Sequence, residues 1–492
     1  MALPWSGQPH WWLQLASLAV LAGLLQRAGS WRRAGLLCWT FATAWLSTTY
    51  WWLFISMHVY GGLPAPLAVA AVLGLAIFLG SYYATAGAIF HLLHRSPVWL
   101  RGLCFAALWM LAELARTTWF TGFPWGAGGY AHVDGPLSVL APFVGVHGIG
   151  LLAAALAFAL SLVASASTRR SRVYWVGLAS VIGLLAAGNL ASTASGKDAS
   201  AGPRLSVALL QGNIPQEEKF QGGTGIALAL DWYGRQLRQS RADLVVAPET
   251  ALPLLPSQLP FGYLEALRER FQSGQQAALV GIPLGSMRKG YTNSVLGLSS
   301  APELYRFDKH HLVPFGEFIP PMFRWFTELM NIPLGDFNRG ALGQASFHWK
   351  GQRLAPHVCY EDLFGEELAV QFADAASAPT ILVNVSNIAW FGDTVAIDQH
   401  LQISRMRALE FQRPVLRATN TGATVIIDHR GRVTHSLPRL TRGVLVGEVQ
   451  GQTLITPYAR WVSRLGLWPF WLLALGLLCA AAAWSGRRAR RS

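Results

Sequence analysis

Leu354-Ala-Pro-His-Val-Cys-Tyr-Glu-Asp362 runs from a short apolar strand into a cysteine, two carboxylates and then a helical pattern. A strand-to-helix turn of this kind exposes a nucleophile, and it marks the surrounding region as alternating α and β. The other cysteines, Cys38, Cys104 and Cys479, lie inside long apolar runs, where a thiol packs as a small hydrophobe. Chemistry is therefore expected at Cys359.

Outward from this stretch the composition divides. Residues 193–466 hold most of the Asp, Glu and Asn, whereas the first 192 residues and the last 26 are dominated by Leu, Ala, Trp and Gly. A hydrophobic share of 52% with 13% charged residues is too apolar for a wholly soluble chain of this length. Seven apolar segments approach the ~20 residues that cross a bilayer. They span 11–26, 34–55, 67–93, 98–115, 137–164, 173–192 and 467–484, the fifth interrupted by Pro142, Gly145, Gly148 and Gly150. The expected organisation is a membrane domain of about six spans over 1–193, a linker over 194–204, a catalytic domain over 205–466, a last span over 467–484 and a basic tail over 485–492.

Arginines alternate with these segments. Arg27, Arg32 and Arg33 follow the first, Arg95 and Arg101 flank the third and fourth, Arg169, Arg170 and Arg172 part the fifth and sixth, and Arg487, Arg488, Arg490 and Arg491 close the chain. The positive-inside rule then puts 193–466 on the non-cytoplasmic side. The net charge of +14 is accounted for by topology and anionic lipid, so no nucleic-acid partner is expected. The first apolar segment has neither a basic region before it nor a small-residue cleavage site after it, unlike a removable signal.

Within 205–466, short β-type runs at 205–211, 244–247, 277–281, 294–298, 304–307, 354–358, 380–385, 423–427 and 445–449 alternate with helical patterns at 225–240, 263–273, 365–375 and 397–413. Residues around Asp428-His-Arg-Gly431 read as a late hairpin. This pattern predicts an α/β domain with helices covering sheets. Three polar clusters end predicted strands: Val246-Ala-Pro-Glu-Thr250, then Arg306-Phe-Asp-Lys-His-His-Leu-Val-Pro-Phe-Gly-Glu-Phe-Ile-Pro320, then Cys359-Tyr-Glu361. Together they offer Glu249 as a base, Lys309 as a cation, Cys359 as a nucleophile and Glu317 as a carboxylate that holds the others.

The order Glu, Lys, Cys within these blocks resembles the nitrilase superfamily of carbon–nitrogen hydrolases. With membrane helices on both sides, the chain resembles that superfamily's bacterial apolipoprotein N-acyltransferase family. Further matching stretches are Thr121-Gly-Phe-Pro-Trp125, Gln211-Gly-Asn-Ile-Pro215, Asn387-Ile-Ala-Trp-Phe-Gly392, Arg405-Met-Arg-Ala-Leu-Glu410 and Thr456-Pro-Tyr-Ala-Arg460. The resemblance implies a polytopic α-helical membrane domain plus a nitrilase-like α-β-β-α sandwich in the bacterial inner membrane, facing the periplasm. It implies a ping-pong transfer of a fatty acyl chain from the sn-1 position of a phospholipid, phosphatidylethanolamine, to the α-amine of a diacylglyceryl apolipoprotein. By the family pattern Glu249 is the general base, Lys309 the oxyanion stabiliser and Cys359 the acyl carrier. Glu317 supports them, and Tyr360, Glu361 and Trp390 fall beside the substrate. No metal or organic cofactor is expected.

The sequence departs from the family in three places. Members have eight membrane helices where seven are read here, so Met1 falls outside; an upstream start absent from this sequence, or a shorter chain, accounts for the difference. Phe220 stands where a Trp is frequent, and Ile388 where an acidic residue is common. Residues 320–341 read either as a core helix and loop or as a lid with Phe337, Asn338 and Arg339 at its tip, dipping into the membrane surface to admit lipid. Glu113 and Arg116, a helical turn apart, read as an ion pair. Two rival readings stand beside the acyltransferase: a membrane-bound nitrilase-type amidase or thioesterase, and a non-catalytic polytopic scaffold.

Overall fold

The computed structural model describes residues 6–162, 183, 200–319 and 337–489. Two compact units emerge: one comprises 1–51, 69–197 and 465–492, the other 52–68 and 198–464.

The first unit is helical. Among the described residues four helical stretches are long and apolar enough to cross a membrane: Ala65–Leu92, Val98–Thr121, Pro136–Ser161 and Trp468–Arg487. The protein is a membrane protein. Trp11–Gln26 is also apolar but has 16 residues, which at 1.5 Å each falls short of a ~30 Å core without tilt or thinning. The sixth expected span, 173–192, lies outside the described residues apart from residue 183. The fifth begins as a 3₁₀ turn over Pro136–Leu140 and continues as Ala141–Ser161, broken at Gly145, whose φ of 61° is open to glycine at little cost.

Where the second span is expected, over 34–55, the helix runs Trp31–Thr49 and is not one of those four stretches. Ser30 caps its start by accepting the Arg33 N–H at 3.2 Å. The helix ends at Tyr50, and Leu53–Ile55 and Ser56–Tyr60 form separate short turns. Residues 52–68 belong with the catalytic unit because their aromatics pack there: Trp52 lies 4.3 Å from Phe391 between ring centroids and donates its indole N–H to Gln399 Oε1 at 3.0 Å. The expected Glu113–Arg116 pair is also corrected. Buried Glu113 accepts the Gly128 N–H at 2.8 Å, and Arg116 Nη1 donates to the carbonyls of Trp125 at 2.6 Å and Phe123 at 3.3 Å. Each charge ties down main chain that would otherwise lose its hydrogen bonds in an apolar surround.

The second unit is a two-sheet sandwich. Its strands are β1 (Ser200–Gln211), β2 (Leu244–Ala247), β3 (Ala277–Ser286), β4 (Gly290–Leu298), β5 (Tyr305–Asp308), β6 (Phe347–Trp349), β7 (Gln352–Val358), β8 (Ile381–Ser386), β9 (Val415–Thr419), β10 (Val425–Ile427), β11 (Val433–Ser436) and β12 (Gly443–Gln452). One sheet has the order β12-β1-β2-β3-β4-β5, the other β11-β10-β9-β8-β7-β6. In each, three neighbours run parallel, β1-β2-β3 and β7-β8-β9, and antiparallel strands flank them. Alternation along β1 explains the layers. Val207 and Leu209 join Val246, Leu279, Val358, Val383 and Leu416 between the sheets, while Ala208 and Leu210 face Tyr233, Leu237, Leu267 and Phe271 of the outer helices. Ala227–Gln239 and Tyr263–Gln272 cover the first sheet, and Val395–Phe411 packs Ala408 and Phe411 on the second. The architecture is α-β-β-α, as the alternation of runs predicts.

Candidate active site

The polar clusters gather at the carboxyl ends of the parallel strands, where open sheets place their ligand sites. After β2 the chain turns at Pro248, and Thr250 takes a φ of 47°. Gly281 on β3 permits this turn, since a Cβ there would stand 2.2 Å from the Pro248 carbonyl. Glu249 is buried there with both oxygens held: Oε1 accepts from Asn293 Nδ2 at 2.7 Å and Oε2 from the Asn387 N–H at 2.7 Å.

Lys309 follows β5 and is fully buried, its N–H donating to the Asn293 carbonyl at 2.8 Å. Its ammonium lies 2.9 Å from Glu317 Oε1 and 3.4 Å from Glu249 Oε1. Glu317 is carried by a tight loop: it donates its N–H to the Val313 carbonyl at 2.9 Å, and its Oε2 accepts the Val313 N–H at 2.8 Å. Asn293 Nδ2 also donates to Glu317 Oε1 at 2.7 Å, so one amide bridges both carboxylates. Burial works against the charge on Lys309, but Glu317 and Glu249 outweigh it and hold the ammonium above its usual range.

Cys359 ends β7 with a φ of +51°, a left-handed conformation costly for a residue with a Cβ. The turn is held from two sides. Glu361 accepts the Val358 N–H at 2.6 Å, the His310 N–H at 2.7 Å and the His311 N–H at 3.3 Å, clamping the cysteine turn to the lysine loop. His400 Nε2 meets the Cys359 carbonyl at 3.1 Å. Behind it, Asp362 lies 2.8 Å from His357 Nε2 and beside Ser404, while Arg417 reaches Ser404 Oγ at 2.8 Å, His400 Nδ1 at 2.9 Å and Asn384 Oδ1 at 3.0 Å.

Burial pushes the Cys359 thiol up to about 12; the Glu249 charge adds to this, Lys309 and the Ser386 hydroxyl oppose it, and Glu317 adds a smaller push. The resting group is a thiol, so attack requires a base to take its proton during bond formation. Burial raises the Glu361 carboxyl, against the hydrogen bonds and charges that favour its ionised form.

The remaining expected site residues are placed as follows. Tyr360 is buried, its ring 5.7 Å from His311 and 5.3 Å from Phe364. Trp390 is half-buried, 6.1 Å and edge-on to Tyr60. Phe337 is buried against Tyr291 and its N–H donates to the Glu317 carbonyl at 2.9 Å; Asn338 N–H donates to the Tyr291 carbonyl at 2.8 Å, and Arg339 lies 4.9 Å over Phe318. Most of the expected lid, 320–336, is outside the described residues. Lys309 pairs with both Glu249 and Glu317, whereas Glu361 is turned toward main chain. Sequence reasoning missed Asn293, Ser386, Lys219, Asn420 and the Asp362 cluster. Asn293 stands in a polar Thr-Asn-Ser run at the start of β4 and Ser386 at the end of β8, and such polar residues at the edge of an apolar strand were the available signal.

A membrane protein with this cysteine elbow, and a glutamate and lysine on a two-sheet α-β-β-α frame, is a membrane-attached carbon–nitrogen hydrolase in fold. Residues 206–456 match the carbon-nitrogen hydrolase family, and residues 1–159 match the apolipoprotein N-acyltransferase N-terminal domain. A relative named apolipoprotein N-acyltransferase in Verminephrobacter eiseniae is 61% identical over 488 residues, 95% of this chain and 90% of that protein. One of the same name in Ralstonia nicotianae is 45% identical over 483 residues, 97% of this chain and 90% of that one. Among solved structures, a CN-hydrolase superfamily protein from Xanthomonas campestris with an arsenic adduct in its active site is 20% identical, covers 54% of this chain and 96% of its own, and has a TM-score of 0.39. The chain belongs to the apolipoprotein N-acyltransferase family.

Proposed function

We propose that the chain moves a fatty acyl group from a phospholipid to the N-terminal amine of an apolipoprotein through a thioester on Cys359. In the first half-reaction Glu249 takes the thiol proton as sulfur bonds to the ester carbonyl carbon, whose oxygen becomes an oxyanion beside Lys309. Collapse breaks the carbon–oxygen bond, and Glu249 returns the proton to the departing lysophospholipid. In the second, the acceptor's α-amine bonds to the thioester carbon, Glu249 takes the surplus ammonium proton, and the carbon–sulfur bond breaks. The sulfur recovers that proton, leaving an amide and the free thiol. Glu317 holds Lys309 and Glu361 holds the elbow.

The observation that carries this reading is the strained Cys359 turn facing a buried glutamate–lysine–glutamate cluster in a chain with membrane-spanning helices. The alternation of arginines supports the bacterial inner membrane, with 205–466 on the periplasmic side. The finer assignments are phosphatidylethanolamine, its sn-1 chain, a diacylglyceryl-cysteine acceptor, and Tyr360, Trp390 and residues 337–339 along the lipid route.

Intact-protein mass spectrometry tests it. The purified chain incubated with phospholipid is expected to gain one acyl mass, labile to neutral hydroxylamine and absent from Cys359→Ala and Glu249→Ala. Adding a diacylglyceryl lipopeptide is expected to discharge it as an amide. Discharge to free fatty acid at a rate indifferent to the lipopeptide favours a hydrolase instead, and no adduct under any condition overturns the reading.

A further inference from the structure

Lys219 lies in the loop after β1 and is buried, although no carboxylate approaches within ion-pair distance of it among the described residues. Its ammonium donates to the main-chain carbonyl of Glu249 at 3.2 Å and sits 6.0 Å from the Phe220 ring centroid. Burying a lysine against a carbonyl and an aromatic ring alone is costly, and a chain can avoid the cost with Met or Leu.

The loop that carries Lys219 is laced to the catalytic groups. Its Gln216 accepts from Asn387 Nδ2 at 2.9 Å, and the Asn387 N–H holds Glu249. Asn420 donates to the carbonyl of Ile214 at 2.9 Å and accepts the Ile214 N–H at 3.0 Å, while its Nδ2 also reaches Asn387 Oδ1 at 3.1 Å. Gly225 lets the chain fold back over Lys219, since a Cβ there would stand 2.1 Å from the Glu218 carbonyl. The lysine is thus delivered to the rear of the base by main chain that already contacts the site.

Charge balance gives it a task. The central cluster sets two carboxylates, Glu249 and Glu317, against the single ammonium of Lys309. A thiolate forming at Cys359 adds a further negative charge. We propose that Lys219 is a second positioning cation, which fixes the Glu249 main chain and whose field makes the Cys359 sulfur release its proton more readily. It acts through the base and the nucleophile and takes no part in the bonds that form and break.

Glu249, from the end of β2, and Cys359, from the end of β7, are the titratable groups that act on Lys219. Of its own segment, Glu217 is exposed and Glu218 half-buried. Burial lowers the lysine to about 7, against the pull of Glu249 and the Cys359 sulfur. The sign for stability follows. With the folded value below the model-compound value of 10.5, Lys219 costs stability at neutral pH and below, a cost relieved only as pH rises through about 7 toward 10.5.

The inference rests on Cys359 as the nucleophile, and alkylation of that thiol tests it without any lipid. The full-length chain, Lys219→Met and Lys219→Arg are reacted with iodoacetamide between pH 6 and 10, and the Cys359 peptide is quantified by mass spectrometry. Lys219→Met is expected to slow Cys359 alkylation about tenfold near pH 6, where Lys219 carries its charge, and the gap to the parent is expected to close as pH rises above about 7. Lys219→Arg, charged throughout, should be at least as fast as the parent at every pH, and the Tm of Lys219→Met should equal or exceed that of the parent. A Lys219→Met profile superimposed on the parent, or a lowered Tm with a slowing that is the same at every pH, overturns the proposal. A Lys219-dependent alkylation profile in a chain that never accepts an acyl group would instead refute the acyl-transfer reading and leave this one standing.

Discussion

Asn293→Asp is the substitution that most directly probes how the site tolerates two carboxylates side by side. The two Oε1 atoms of Glu249 and Glu317 each lie 2.7 Å from the same amide nitrogen, so they stand at most twice that distance apart. At ~5 Å and an effective dielectric of about 20, two unit charges repel by about 3 kcal/mol. Lys309, at 3.4 Å and 2.9 Å from those oxygens, offsets this, and the Asn293 amide contributes two further donor contacts. An aspartate keeps the shape but sets a third negative charge ~3 Å from each oxygen, worth about 5 kcal/mol of repulsion apiece in the same dielectric. Lys309 cannot neutralise three carboxylates, so the cluster binds a proton and the base is lost.

Asn293→Ala removes the same donor without adding charge. Losing a hydrogen bond to a charged group costs about 1.5–3 kcal/mol, of which a middle value of ~2 kcal/mol corresponds to roughly 30-fold in rate. Asn293→Asp is expected to slow acyl-enzyme formation by more than about 10³-fold, and Asn293→Ala by about 10- to 100-fold. The assay is the time course of the hydroxylamine-labile acyl mass, with Tm measured alongside. Acylation by Asn293→Asp at the parent rate, or faster than by Asn293→Ala, would refute the electrostatic account of the site.

Glu361→Gln replaces an acceptor of three main-chain N–H groups by one amide oxygen and a donor facing those same N–H groups. It is expected to lower the acylation rate at least ~10²-fold with a smaller loss of Tm, and a rate unchanged within twofold would remove Glu361 from the positioning role. His400 is lowered to about 3 by burial and by Arg417 beside it. Its stabilising contribution is therefore complete above the ordinary histidine value of 6.5 and is lost as pH falls toward about 3, so the denaturant midpoint should drop between pH 7 and pH 5. His400→Gln should flatten that slope; an identical slope in the variant would show that the acid sensitivity arises elsewhere. Trp390→Ala opens the contact with Tyr60 and should alter acyl-chain preference in competition between donors, with the chain-length ranking as the readout. An unaltered ranking would place the acyl chain away from this loop.

Much of this site was legible because Glu249 and Cys359 end apolar runs and Lys309 follows a short strand. Val245 and Val246 announce Glu249, Phe307 announces Lys309, and Val358 announces Cys359. β9 was not legible, since Arg417 stands in the middle of Val415–Thr419 and breaks the apolar pattern. Its charge is met by Asn384, Ser404, His400 and Asp362 from other elements, a match visible only after the chain has folded. β6 and β11 are three and four residues long, and β11 is exposed throughout, so neither carries a burial period; β11 was legible only through the turn at 428–431, where β10 and β11 form the expected hairpin. The run 50–55 misled for the opposite reason. Its aromatics read as a continued span, yet Trp52 is buried against Phe391 of the catalytic unit.

The catalytic groups do not belong to one sheet. Glu249, Asn293 and Lys309 come from the first, and Cys359 and Asn387 from the second. Hydrogen bonds bind the halves at the site itself, among them the Asn387 N–H to Glu249 and the His310 N–H to Glu361. The base is therefore oriented only when the sandwich is closed, and the elbow's clamp is completed only by the lysine loop opposite. Burial that raises the thiol also holds the site together, because the core between the sheets and the strained turn at Cys359 share the end of β7. Reactivity here is a property of the closed interface. A cavity cut into that core at Val358→Ala, beside the cysteine, should cost activity well beyond its loss of stability. An activity loss no larger than the unfolded fraction predicts would mean that the elbow keeps its geometry without the packing beneath it.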